Sequence, residues 1–202
     1  MIPPGYHEDP SVIQLHRAIG GYITTFSEMT ALMRQMIGEY LAPVDDEFPR
    51  PNPLLNIVFA TMTAKPISDS FFAMATAVGD LDETGGRIRN ALKREVTHNI
   101  SFRNDLAHAD WSLGWVNADT NEPLPSAAYK IKSDEGVPRL TQLDLGTNDV
   151  IRQINRLNPL RTVLAAFAGT CRGIQRGEST SVADVLELHR SHPSETFEVR
   201  KR

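Results

Sequence analysis

The chain has 202 residues, 41% of them hydrophobic and 23% charged, which is enough for one sizeable core and ordinary for a folding domain. A formal net charge of -4 excludes a broad, charge-driven nucleic-acid platform and leaves room only for a local basic pocket. The single cysteine, Cys171, excludes an intrachain disulfide and every multi-cysteine zinc site; with no basic, apolar leader in MIPPGYHEDP and no membrane-length apolar stretch, a cytoplasmic, non-membrane protein is expected.

Residues 1–10 read as a proline-bearing arm. Val12, His16, Ile19, Ile23, Phe26, Thr30, Met33, Ile37 and Tyr40 then recur at alternating steps of four and three, the pattern of a long amphipathic helix. Gly20 and Gly21 within it either cost stability or allow close approach. The prolines and the acidic run Asp45-Asp46-Glu47 between 42 and 53 predict a solvated loop. From Leu54 to Val78 the chain is strongly apolar around Pro66, so a kinked helix or two short ones are expected, with Pro66 near the second N-terminus. A third long helix should run from Arg87 to about Asp110, after the turn bracketed by Gly79 and Gly85-Gly86.

Between 111 and 148 the pattern becomes alternating and β-branched, with a hairpin expected from Ala128–Lys132 and Arg139–Leu143 around Asp134-Glu135-Gly136. Asn148-Asp149 offers a cap for a further helix to about Arg172, with a bend at Pro159. Beyond Gly177 the chain is polar, and only Val182 to His189 suits a short helix in an otherwise loosely held tail. The expected fold is therefore mainly α: an antiparallel helical bundle of about four long helices with a small β-hairpin insertion between the third and fourth. The helical domain spans 11–176, with its insertion at about 111–148 and a polar tail at 177–202.

One constellation looks like chemistry. On a helical wheel, Arg103 falls within about 60° of Ile88, Leu92, Val96, Asn99 and Leu106, inside an apolar stripe. Burying a guanidinium unpaired costs several kcal/mol, by order of magnitude, so Arg103 either makes a structural ion pair, snorkels, or awaits an anion. Asn104 and His108 lie one turn apart on one face, and Arg103 can reach the same rim. Histidine moves protons near neutral pH, arginine grips phosphate oxygens in pairs and asparagine orients either partner, a set suited to phosphodiester chemistry without a metal.

The string FRNDLAHADW resembles the active-site motif of the HEPN superfamily, in which an arginine and a polar residue, often asparagine, precede a histidine by a few positions. Arg103, Asn104 and His108 match that order, late on a long helix that precedes an insertion and another helix. The resemblance covers about ten residues as a motif and roughly 11–176 as an architecture. It implies a homodimer whose two motif helices form a shared basic cleft, binding RNA or nucleotide, with metal-independent RNA cleavage in catalytic members. In that reading His108 is the general acid or base for attack by a ribose 2′-hydroxyl, Arg103 stabilises the phosphorane-like transition state and Asn104 positions the phosphate or His108. A 2′,3′-cyclic phosphate follows. The setting implied is defence, toxin–antitoxin or RNA processing, with an antitoxin or other protein as a further partner. The same superfamily includes members that only bind nucleotide, RNA or a protein, and a third reading is an unrelated helical adaptor in which Arg103 makes a buried ion pair.

Around the motif, Asp105 and Asp110 either pair with Arg103, tune His108 or stand in solvent. Trp111 and Trp115 either stack a base or serve packing, the usual fate of tryptophan. Lys130, Lys132 and Arg139 read as strand surface. His98 lies too far around the helix from His108 to share a metal, and no HExxH, CxxC, GxGxxG or GxxxxGK[ST] string occurs; no metal or cofactor is expected.

Overall fold

In the computed structural model, residues 9–43, 53–113, 117–120, 122, 127–134, 137–143, 145–178, 181–190 and 197–201 are described. The chain is mainly helical, with helices α1 (Pro10–Leu41), α2 (Pro53–Ala60), α3 (Ala64–Gly79), α4 (Glu83–His108) and α5 (Thr147–Gln175). Strands β1 (Asp110–Ser112), β2 (Ala127–Asp134) and β3 (Val137–Leu143) form a small antiparallel sheet in the order β1-β2-β3 between α4 and α5. A second hairpin, β4 (Leu186–Arg190) with β5 (Phe197–Lys201), follows α5. The helical fold with a small β insertion between its last two long helices is the one the sequence led us to expect.

Local chemistry sets the helix ends. Asp9 accepts from the backbone N–H and hydroxyl of Ser11 at 2.8 and 2.7 Å, and Pro10 occupies the first helical position, where its missing N–H costs nothing. The α4 start is four residues earlier than expected because Asp82 caps it, taking the Gly85 N–H at 2.6 Å, so Gly85 and Gly86 lie inside the first turn. The α5 cap is made by Asp149, which reaches back to the Gly146 N–H at 2.9 Å. Asp80 closes α3 in the left-handed region at φ 37°.

The chain divides into two compact units, Met1–Phe26 with Ser101–Arg156 and Ser27–Ile100 with Leu157–Arg202. In the latter, α3 and α4 run antiparallel, tied by Lys93 to Asp69 at 3.1 Å and by Arg89 donating to the Thr76 hydroxyl at 3.0 Å. Here α1 and α5 lie side by side in the same direction: Glu28 pairs with Arg161, the Tyr40 hydroxyl donates to the Ala168 carbonyl at 3.1 Å, and Arg172 donates to the Pro43 carbonyl at 2.9 Å. Tyr40, Phe71, Phe72 and Phe167 form the aromatic centre of the core, with ring centroids 4.9 to 6.4 Å apart. Gly79 and Cys171 meet so closely that a Cβ on Gly79 would sit 2.9 Å from the Cys171 sulfur. Val182 and Leu186 are buried, and the segment expected to form a short helix is instead a 3-10 turn, Val182–Asp184, leading into β4. Alternation from Leu186 onward, completed by pairing with 197–201, decides for strand over helix.

In the other unit Tyr22 is fully buried, packed edge-on against Phe102 at 5.0 Å, and a Cβ on Gly21 would meet Ile154 of α5 at an ordinary contact distance of 3.5 Å, so the packing there does not require glycine. Strand register pairs Trp111 with Ala128, Lys130 with Thr141, Ile131 with Leu140 and Lys132 with Arg139. The expected hairpin is present; β1 was not anticipated, because a three-residue strand has no periodicity of its own.

On α1 the buried stripe is Val12, Leu15, Ala18, Tyr22, Phe26, Met29, Thr30, Met33, Met36, Ile37 and Tyr40, with His16 exposed and Ile23 half-buried. The expected frame was thus off by one position in the N-terminal half, where a shift of one residue buries Leu15 and Tyr22 in place of His16 and Ile23. Most of α2 faces outward, with Leu54, Ile57 and Val58 exposed and Phe59 buried. The acidic run Asp45-Asp46-Glu47, residues 1–8 of the N-terminal arm, the hairpin turn at Glu135-Gly136 and Trp115 lie outside the described residues.

Candidate functional site

The last two turns of α4 carry the constellation. Ile88, Leu92, Val96, Asn99 and Leu106 are all buried, so the stripe drawn from the sequence is the face that packs inward. Arg103 sits on that face and is half-buried, whereas Asn104 and His108 are exposed one turn apart. The helix ends at His108, two residues before the expected boundary, and Asp110 is already in β1.

The Arg103 guanidinium donates to the Asn104 side-chain oxygen at 3.4 Å, a long contact. Among the described residues no carboxylate forms an ion pair with Arg103. Burial pushes the Tyr22 phenol well above its ordinary value, an effect partly offset by the charge of Arg103. Among the described residues, the hydrogen-bond partner of the guanidinium is therefore a neutral amide.

Asp105 does not serve Arg103. Its carboxylate binds the Lys130 ammonium of β2 at 2.7 Å, with both side chains about one-third exposed at 34% and 31%. Sequence reasoning had placed Lys130 with the strand surface and missed this pairing, since contacts 25 residues apart in the chain leave no mark on local spacing. Alternation along β2 was the available signal: Ala128 is buried, so Lys130 shares its inward face.

Trp111 is half-buried and its indole N–H donates to the Leu106 carbonyl at 3.3 Å, occupying a last-turn carbonyl that has no helical partner. This bond fixes the indole against the end of α4 beside the motif. His108 has no hydrogen-bond partner among the described residues. His98 is exposed on α4. Among the described residues no group of three or more His, Cys, Asp or Glu side chains is placed to hold a metal ion. No described helix is long and apolar enough to cross a membrane.

No protein-family model, curated protein or solved structure matches this chain. The site therefore has to be read from its own chemistry. Among the described residues it offers a guanidinium without a carboxylate partner, an amide in contact with it, a solvent-facing imidazole a turn further on, and an ammonium paired with the neighbouring Asp105. Such a set suits an anion with several oxygens, presented at the C-terminal end of α4.

Proposed function

We propose that the chain is a metal-independent endoribonuclease of HEPN type, with the end of α4 as its active site. The observation that supports this most is the state of Arg103: on the inward face of α4, in contact with Asn104 and without a carboxylate partner among the described residues. A cation left so is arranged for an anion that arrives with the substrate. In this reading Arg103 and Asn104 hold the scissile phosphate, and charge developing on its oxygens is met by the guanidinium fork. His108 takes the proton from the ribose 2′-hydroxyl or returns one to the leaving 5′-oxygen; the products are a 2′,3′-cyclic phosphate and a 5′-hydroxyl. Two chains face each other through α4, and the partner's chain completes the cleft. The setting that fits is cytoplasmic defence, toxin–antitoxin control or RNA processing.

Incubation with mixed RNA in chelator, comparing the wild type with His108→Ala, tests it. Cleavage should fall by about 10²- to 10⁴-fold in the variant, the usual worth of a positioned general acid or base. Absence of cleavage by both proteins, or equal cleavage, rules the proposal out.

A second reading has its own supporting observation. His108 lacks an orienting partner among the described residues, whereas a catalytic imidazole is ordinarily held in one tautomer by a neighbour. A non-catalytic HEPN-like module that binds nucleotide, RNA or a protein partner through Arg103 and Asn104 would need no such partner. It is distinguished by binding of RNA or nucleotide that Arg103→Ala abolishes and His108→Ala leaves intact, with no cleavage.

A further inference from the structure

We infer that the outward face of α2 is a self-association surface, on which the α2 of a second copy of this chain docks across a two-fold axis. The residues involved, on α2 and at the end of α1, take no part in the proposed catalysis.

The rotation of α2 about its own axis is set by the two residues that hold it. Phe59 is buried, and Leu55, one turn before it, is half-buried and lies where a Cβ on Gly38 of α1 would meet it at 3.7 Å. With positions 55 and 59 turned inward, positions 54, 57 and 58 face outward together, at the i, i+3 and i+4 spacing of one helical stripe. A helix covering its own core carries polar side chains there. Instead the residues are Leu54, Ile57 and Val58, exposed by 68%, 68% and 52%, and Leu41, the last residue of α1, is exposed by 58%. These are four of the seven large hydrophobic side chains exposed among the described residues. Single exposed hydrophobics need no explanation, whereas a concentration of them marks a surface that meets another molecule.

Three features of the stripe fit a second copy. Residues 53–63 contain no charged side chain in a chain that is 23% charged. The core of an interface between identical chains is depleted of charge in the same way, and an uncharged stripe meets its own copy without like-charge repulsion while giving a charged partner nothing to pair with. Leu54 and Val58 form an i, i+4 ridge with Ile57 beside it, so two copies interlock ridge into groove, each matched in length by a helix of the same eight residues. Area agrees with a reversible contact. Four aliphatic side chains exposed by half to two-thirds offer on the order of 300 Å² per chain and about 600 Å² for two, roughly half of the 1,200 Å² at which stable interfaces begin. Flanking residues supply the remainder, and the association is weak.

Sedimentation equilibrium of the full chain from about 5 µM to about 1 mM, the range suited to an interface at the small end, tests this. The weight-average mass of the wild type should rise with concentration. Ile57→Lys and Ile57→Glu, each at an exposed position, should both weaken the association by about tenfold or more, the loss expected at the centre of an interface. Ile57→Ser, which brings no charge, should weaken it less and in the same direction, and melting curves of each variant confirm that the fold is retained. An equimolar mixture of the Lys and Glu variants should recover the rise, because a two-fold axis sets position 57 close to its own copy and opposite charges then attract. A wild-type mass that stays constant, a rise that survives in Ile57→Lys, or a mixture no heavier than either variant alone overturns the inference; the last result would place the partner of α2 on a different surface. The starting mass keeps this test separate from the ribonuclease reading: where two chains share a cleft through α4 the rise begins from two chains, and otherwise from one.

Discussion

Cys171 and Asp69 show how differently burial and exposure act on single groups. Desolvation in the core pushes the Cys171 thiol up to about 12, which leaves almost no thiolate near neutral pH. Alkylation of the native protein at pH 8 should therefore run about a thousandfold slower than in denaturant, measured by mass shift against time. Comparable rates in both would mean that the helices around Gly79 open freely. Asp69 is held below the ordinary carboxylate value by hydrogen bonds from Lys65 and then Lys93. A depressed carboxyl contributes stability above its unfolded pKa, and that contribution is lost as pH falls through the lower folded value. Melting temperatures of wild type and Asp69→Asn should differ at pH 6 and converge on acidification below about pH 4. The placement of Arg103 was legible in the sequence because a single wheel sufficed. The choice of Asp105 for Lys130 was not, since it depends on strand register and on the distance between α4 and β2 after folding.

At the scale of elements, the approach of α3 to α5 is the most sensitive contact. Gly79→Ala puts a methyl 2.9 Å from the Cys171 sulfur and 3.1 Å from Leu81, so the substitution should cost about 1–3 kcal/mol by overpacking, read as a lower denaturation midpoint. Pairing it with Cys171→Ala should return part of that loss; a double variant no better than Gly79→Ala places the strain elsewhere. Long helices were readable because α1, α4 and α5 repeat their apolar positions over many turns, and caps such as Asp9-Pro10 are local. The frame of α1 was misjudged where Leu15 and His16, or Tyr22 and Ile23, are adjacent alternatives and only packing selects between them. The C-terminal hairpin escaped detection for a related reason: β4 gains its backbone partners from residues 197–201, and eight residues alone fit a helix as readily.

For the molecule as a whole, the proposed cleft requires two chains. Sedimentation at micromolar concentration should give twice the 22.4 kDa mass of one chain, and a single-chain mass in conditions where RNA is cut would remove the shared cleft from the mechanism. The parallel packing of α1 and α5 has a consequence for the order of synthesis. Glu28 and Arg161 are 133 residues apart, so at typical elongation rates about 7–27 s separate the appearance of the two partners at the ribosome. From their own synthesis until that of Phe167, Phe71 and Phe72 lack the ring that packs against both of them. Closure of this core thus waits for the synthesis of α5, and a chain cut short before residue 157 would lack the ring that packs against Phe71 and Phe72.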